Sequence, residues 1–138
     1  MYYTLATTRF NNQTWKENEK WREKNNWDGC IYNTPIPISE DIPQDSLIFI
    51  LEMNNDKNKI IGIGLIRKRL SSDRYYKIYS DQNYNRYTYK SHYYISREEL
   101  TEEEEKIIKV LDILLFKGSR HLKRGQGITA VPNYIIKN

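Results

Sequence analysis

The sequence contains little cysteine, glycine and proline, and it lacks a long hydrophobic run. Cys30 is the only cysteine in 138 residues, so neither an intrachain disulfide nor a thiolate-rich zinc site can form. No run of about 18 apolar residues is present, and residues 1–9 lack the basic and apolar regions of a secretory signal. We therefore expect a cytoplasmic protein that does not associate with membranes.

The sequence also lacks the motifs of common enzymes and cofactor-binding proteins. It contains no Walker-type loop and no His-Glu-x-x-His helix, and Gly62-x-Gly64 lacks the third glycine of a dinucleotide fingerprint. The two histidines, His92 and His121, have no metal-site or triad spacing. The four acidic side chains at 102–105 would point in different directions around a helix and would not converge on a metal ion. Negative side chains at this position are stabilised by the positive N-terminus of the helix. These absences predict no cofactor and no metal, and they favour a binding protein over an enzyme.

What the sequence does contain is aromatic residues and positive charge. A chain of this length fits one domain and can bury roughly two thirds of its unfolded surface. The hydrophobic fraction is only 38%, but 13% of the residues are aromatic, so an aromatic core is expected. The net charge of +4 suits an acidic partner such as nucleic acid.

Local patterns predict an α+β fold with a small mixed sheet. Expected strands include 2–8, 46–53, 60–67 and 128–131, together with a strand after the turn at 27–29 and one near 87–90. A first helix is expected after a capping box of Thr14 and Glu17, and a second after Ser96 with Glu99 or Thr101 with Glu104. The predicted apolar stripe of the second helix is Ile107, Ile108, Leu111, Leu114 and Leu115.

Residues 117–129, which we call the basic segment, follow this helix and are punctuated by glycine. No acidic residue occurs after Asp112, whereas Lys117, Arg120, Lys123, Arg124 and Lys137 are positive. Gly118 is expected to end the helix, and Gly125 and Gly127 suit either a close approach to a phosphate or a tight turn. Two interpretations stand, a phosphate-facing loop and a solvated connection.

Eight of the twelve tyrosines lie between residues 75 and 94, interleaved with basic residues. Tyr87 and Tyr89 alternate with Arg86, Thr88 and Lys90, so one strand face could stack bases while the other neutralises phosphates. The alternative is half-buried tyrosines with hydroxyls at the surface.

Two strand segments carry a family resemblance. After a strand, a short helix and the turn Trp27-Asp28-Gly29, the segments DSLIFILE at 45–52 and IGIGLI at 61–66 resemble the PUA-like superfamily, nearest its EVE and YTH branches. The resemblance implies a small mixed β-barrel flanked by two or three helices at 1–132. After Pro132 closes the last predicted strand, residues 133–138 are expected to be a C-terminal tail, either loose or docking a partner. The resemblance also implies recognition of RNA or a modified base at the barrel mouth, with Trp27 as an aromatic wall.

The chain as a whole also resembles small uncharacterised proteins of giant DNA viruses. The shared stretches are 52–56, 84–86 and 123–129. This resemblance implies a location in the host cytoplasm or the virion, and it brings no activity with it.

Our leading hypothesis is a non-enzymatic nucleic-acid-binding domain that binds RNA or DNA and reads an RNA base or a modified base. One alternative is a structural, assembly or virion protein whose tyrosine-rich face contacts a protein partner or a second copy. Another is a nucleic-acid hydrolase in which Asp45, Glu52 and a lysine converge. The predicted nucleic-acid contacts are Trp27, Arg86, Tyr87, Arg120, His121, Lys123, Arg124, Gly125, Gln126 and Gly127.

Overall fold

A computed structural model of the chain describes residues 3–136, which form seven strands and three α-helices. The helices are α1 (Asn12–Lys24), α2 (Glu102–Phe116) and the single turn α3 (Asn133–Ile136). Short 3₁₀ turns occur at Gln82–Asn85 and Arg97–Glu99. The strands are β1 (Tyr3–Phe10), β2 (Cys30–Thr34), β3 (Leu47–Asn54), β4 (Lys59–Arg67), β5 (Tyr87–Ser91), β6 (Tyr93–Ser96) and β7 (Thr129–Ala130).

The strands form two sheets. The larger sheet has the order β6-β4-β3-β1-β7, in which β1 and β3 are parallel and the other neighbours are antiparallel. Parallel neighbours need a long crossover, and here it consists of α1, β2 and the proline-containing loop before β3. Strands β2 and β5 form a separate antiparallel pair. The α+β class is confirmed, but the strands of the described chain are not closed into a barrel.

The predicted β3–β4 hairpin is confirmed to within one residue at its strand ends, and the predicted first capping box is wrong. Helix α1 is capped by Asn11, whose Oδ1 accepts a hydrogen bond from Thr14 N at 2.8 Å, while Asn11 N donates to Thr14 Oγ1. Glu17 instead accepts a hydrogen bond from Ser80 N. Asparagine is itself a preferred N-cap residue, and the observed cap lies three residues before the predicted one.

Helix α2 has the predicted Thr101–Glu104 capping box, and Gly118, with φ +79°, lies just after its end. The predicted apolar stripe divides between two faces. Ile108 and Leu115 are buried, whereas Ile107 is 63% exposed and Leu114 is 36% exposed. Ion pairs from Arg97 to Glu105 and Asp112 hold the buried face of the helix toward the sheet.

Two hydrophobic clusters form the core. The first contains Tyr32, Tyr76, Tyr79 and Tyr89 among aliphatic residues. The second lies between the sheet and α2 and contains Leu51, Met53, Ile60, Ile108, Leu115, Phe116, Val131 and Ile135.

The C-terminal end of the chain is packed against the core where the structure describes it, although a loose tail was expected. The segment predicted as a loose tail begins with α3, and its Ile135 is 5% exposed within the second cluster. Burial of the Ile135 side chain removes apolar surface from water, which stabilises the packed conformation of this segment over a loose one. Residues 137 and 138 of the predicted tail, and residue 2 of the predicted first strand, lie outside the described residues.

Candidate functional site

A cavity of about 240 Å³ has one wall formed by the C-terminal end of β1, residues 8–10, and another formed by residues 125–127 of the basic segment. Strand β7 pairs with β1 only at Ala6 and Thr7, so beyond Thr7 that edge of β1 is left without this neighbour. Its lining includes Thr8, Arg9, Tyr32, Tyr79, Tyr84 and Gln126. Gly125 and Gly127 also line it.

Arg9 determines the shape of the basic segment. Its guanidinium donates from Nη1 to Leu122 O at 3.0 Å and from Nη2 to Gly127 O at 2.9 Å. Burial lowers the pKa of Arg9 to about 10, so the side chain stays charged at neutral pH. A Cβ at position 125 would lie 2.8 Å from Arg9 Cζ, and Gly127 has φ +67°. Gly125 therefore leaves room for the Arg9 guanidinium, and Gly127 adopts a left-handed backbone that favours glycine.

The cavity wall offers aromatic rings and a few polar groups that the protein itself leaves unpaired. The hydroxyls of Tyr32 and Tyr79 already have partners, Glu52 Oε2 and Asn18 Nδ2. Within residues 3–136, the Thr8 hydroxyl makes no hydrogen bond to protein, although Thr8 is only 6% exposed. The same holds for the Tyr84 hydroxyl and the Gln126 amide in the described part of the chain. These three groups are available to a ligand.

The electrostatic character of the cavity is neutral to positive. Arg9 contributes a cation to the wall, and none of the described residues that line it is acidic. Lys123 and Arg124 belong to the adjoining basic segment. The cavity therefore suits a neutral or anionic polar group better than a cation.

Glu52 lies behind Tyr32, in the interior, and is only 2% exposed. The Tyr32 hydroxyl donates to its Oε2 at 2.5 Å. Burial raises the pKa of Glu52 to about 7, and the neighbouring Tyr32 hydroxyl and Arg22 charge offset only part of that effect. Cys30 lies nearby, and burial raises the pKa of its thiol to about 12, so it is not a reactive thiolate at neutral pH.

The structure does not bring the proposed hydrolase carboxylates together. Asp45 is at the surface and pairs with Arg69 at 2.8 Å, whereas Glu52 is buried. Asp45 lies before the start of β3, whereas Glu52 lies near the other end of that strand. Among the described residues, no group of three or more His, Cys, Asp or Glu side chains could hold a metal ion.

Comparison with known proteins adds no assignment. No family model, curated protein or solved structure matches the chain. The PUA-like resemblance therefore rests on the segments at 45–52 and 61–66 and stays a prediction. Across residues 3–136, the structure has no helix with both the length and the apolar character needed to cross a membrane.

The predicted contacts in the basic segment fall into different environments. Gly125, Gln126 and Gly127 line the cavity. His121 Nδ1 accepts a hydrogen bond from Lys123 N at 3.2 Å, so it shapes the segment. Arg120 lines a separate hollow at the end of α2. Lys123 and Arg124 are in the segment but not in the cavity wall.

Trp27, Arg86 and Tyr87 do not line the cavity. Trp27 Nε1 donates to Cys30 O at 3.0 Å, and its ring contacts the His92 ring at 4.4 Å and Lys90 Nζ at 4.7 Å. The Arg86 guanidinium lies over the Tyr87 ring at 5.7 Å. The predicted set is therefore spread over the cavity, the rest of the basic segment and a region around β5.

The eight tyrosines at 75–94 divide among buried, half-buried and exposed positions. Tyr76, Tyr79 and Tyr89 are buried, and the Tyr89 hydroxyl accepts a hydrogen bond from Ile38 N. Tyr75, Tyr84 and Tyr93 are exposed. Tyr84 is thus the exposed tyrosine of this run that meets the cavity, and sequence reasoning did not single it out.

Arg9, Thr8 and Tyr32 were also missed as site residues. Arg9 has the basic character of the predicted contacts, but it lies in a strand more than a hundred residues before the basic segment. Only the pairing of β1 with β7 brings the two together.

Proposed function

We propose that this protein is a non-enzymatic nucleic-acid-binding domain with a PUA-like fold, which receives one unpaired RNA base or modified base in the cavity. The observation that carries the proposal is the cavity itself. It joins tyrosine rings, unpaired polar groups and the half-buried Arg9 beside a basic segment, and no acidic side chain lines it among the described residues.

The size and chemistry of the cavity support a single base. At about 240 Å³, it is below the roughly 300–1,000 Å³ of pockets for drug-sized ligands. Sequence-specific RNA recognition relies on unpaired bases that stack on aromatic rings and form hydrogen bonds through their edges. Tyr84 at the mouth would stack on the base, while Thr8 and Gln126 would contact its edge.

The basic segment would hold the backbone of the same strand. Lys123 and Arg124 would contact phosphates, which contribute affinity but no sequence information. A DNA strand has the same phosphates, so the comparison of RNA with DNA belongs in the test.

The first experiment is a fluorescence anisotropy titration with labelled single-stranded and duplex RNA and DNA at two salt concentrations. We expect single strands to bind more tightly than duplexes, because only an unpaired base can enter the cavity. Affinity should fall as salt increases. Absence of binding to every probe at low salt would overturn the proposal.

Two double variants then test the role of the basic segment. Lys123→Ala with Arg124→Ala should weaken all sequences similarly and flatten the salt dependence. Lys106→Ala with Lys109→Ala removes the same charge from exposed positions of α2 and is the matched control. Equal effects of the two double variants would show that only net charge matters.

Loss of the stacking ring tests the cavity directly. Tyr84→Ala should weaken single-strand binding by about tenfold or more, given the usual stacking contribution per base. Tyr75→Ala removes another exposed tyrosine that does not line the cavity and should have little effect. A Tyr84 variant with unchanged affinity would contradict base entry at this site.

A further inference from the structure

Helix α2 has a second apolar stripe on the side turned away from the core. Ile108 and Leu115 face the second cluster and are at most 6% exposed. On the other side, Ile107 is 63% exposed and Val110 is 56% exposed, and Leu114 continues the same line. Surface helices of single domains normally carry polar residues on the solvent side. Within the described chain, nothing covers this stripe.

The spacing of the stripe is that of a helix-pairing seam. Glu103, Ile107, Val110, Leu114 and Lys117 follow one another at intervals of four, three, four and three residues. This alternation keeps side chains on one line along a helix that packs lengthwise against another helix. Ile113, 56% exposed, widens the apolar centre on one side.

The ends of the seam are oppositely charged. Glu103 lies at the N-terminal end and Lys117 at the C-terminal end, and both are exposed. We propose that this face of α2 binds a second copy of the chain, so that the two α2 helices pack antiparallel about a twofold axis near Val110. In that arrangement Glu103 of each copy faces Lys117 of the other, and Ile107 faces Ile113 and Leu114.

The charges select both the orientation and the register. A parallel pair would place Glu103 against Glu103 and Lys117 against Lys117, which is unfavourable. A shift by one helical turn would place a charged end over the apolar centre. The seam is therefore complementary to itself in one arrangement, as a twofold interface requires.

A shallow hollow extends the complementary surface beyond the helix. It has a volume of about 440 Å³ and is lined by residues at the end of α2, by the start of the basic segment and by Ile135. In the proposed register, residues 103–107 of the second copy lie opposite this hollow. Ile107 of that copy has the shape and chemistry to enter it.

The proposed interface is small, so its affinity is expected to be moderate. A 15-residue helix is about 22 Å long, and its face offers less than the roughly 800 Å² per partner of stable complexes. We therefore expect a dissociation constant in the micromolar range, with monomer and dimer in rapid exchange.

Sedimentation equilibrium of the full chain over a broad concentration range tests the proposal. The average mass should rise from the monomer value of 16.7 kDa toward twice that value. A mass that stays at the monomer value up to several hundred micromolar would overturn the proposal, as would assemblies larger than a dimer. Either result would mean that a partner other than a second copy of this chain covers the apolar stripe.

A substitution at the proposed axis gives the sharpest mutational test. Val110→Asp places two carboxylates against each other in the seam and should abolish dimer formation. Lys109→Asp introduces the same side chain one residue away, beside the stripe, and is the matched control. Both positions are exposed, so circular dichroism should show folded protein in each case. A Val110→Asp protein that still dimerises would refute the interface.

A charge swap tests the orientation. Glu103→Lys alone, and Lys117→Glu alone, should each weaken the dimer by about tenfold, because each creates two like-charge contacts. The double variant should restore wild-type affinity. A parallel dimer would keep like charges together in all three variants, so equal affinities among them would contradict the antiparallel arrangement.

Discussion

The two faces of the five-stranded sheet carry different kinds of core. On β3, Ile50 and Glu52 face the first cluster, where tyrosine hydroxyls and buried asparagines form hydrogen bonds. Leu51 and Met53 face the second cluster, which is aliphatic apart from Phe116. The comparison shows a division of roles in one small domain. The face toward the second cluster stabilises the fold by burying aliphatic side chains. The face toward the first cluster encloses the polar groups that border the cavity.

The largest expected effect is on the aliphatic face. Leu115→Ala should destabilise the protein by about 2–5 kcal/mol, because Leu115 is 0% exposed and the substitution leaves a cavity under α2. Leu114→Ala is the matched control, since Leu114 is the preceding residue on the outward stripe. Urea unfolding of dilute, monomeric protein measures both. Similar losses for the two variants would mean that the faces of α2 are assigned wrongly.

The next effect is a pH dependence confined to the polar face. Burial raises the pKa of Glu52 to about 7 in the folded protein, from an ordinary value of 4.5. The folded protein therefore keeps the Glu52 carboxyl protonated up to a higher pH than the unfolded chain does. The stabilisation that results from this difference is fully present below about pH 4.5. It is lost as pH rises to about 7, by on the order of 3 kcal/mol.

Glu52→Gln should remove that contribution. We expect the variant to gain stability relative to wild type at pH 8 and to lose the decline between pH 5 and pH 7. Urea unfolding at several pH values measures this, with the exposed Glu98→Gln as control. A Glu52→Gln protein with the same pH profile as wild type would show that Glu52 is ionised throughout.

A smaller loss is expected where β4 approaches the polar face. A Cβ at Gly64 would overlap the Tyr32 hydroxyl and lie 2.8 Å from Cys30 Sγ. Gly64→Ala should therefore cost about 1–3 kcal/mol through overpacking, and it should displace the Tyr32–Glu52 hydrogen bond. Calorimetric unfolding measures the loss. A neutral effect would mean that Tyr32 can move away without strain.

The smallest effect on stability is expected inside the cavity itself. Thr8→Val removes a hydroxyl that has no protein partner within the described residues, so stability should change by less than about 1 kcal/mol. Single-strand affinity should nevertheless fall in the anisotropy assay if this hydroxyl contacts a base. A large loss of stability would instead assign Thr8 a structural role.

Several features could be predicted from the sequence because they depend on neighbours along the chain. The β3–β4 hairpin, the Thr101–Glu104 cap and the end of α2 before Gly118 all follow from local pattern and turn chemistry. The position of α1 was less secure, because Asn11 and Thr14 are both good caps and only one of them starts the helix.

The cavity could not be predicted in the same way. Trp27 and Tyr87 had the right residue type but lie elsewhere, while Arg9, Thr8 and Tyr84 became site candidates only when distant segments met. No local pattern reports that a strand edge is left without a neighbour, or that a guanidinium in β1 holds a loop near residue 127.

The sequence alone determined the α+β class, the basic character of residues 117–129 and the amphipathic helix before them. The tertiary structure decided which apolar stripe of α2 is buried, because that helix is apolar on two sides and ion pairs from Arg97 to Glu105 and Asp112 select one of them. It also decided which of the tyrosines at 75–94 are buried, and that Glu52 is buried. Propensity and charge act locally, whereas burial depends on which segments pack together.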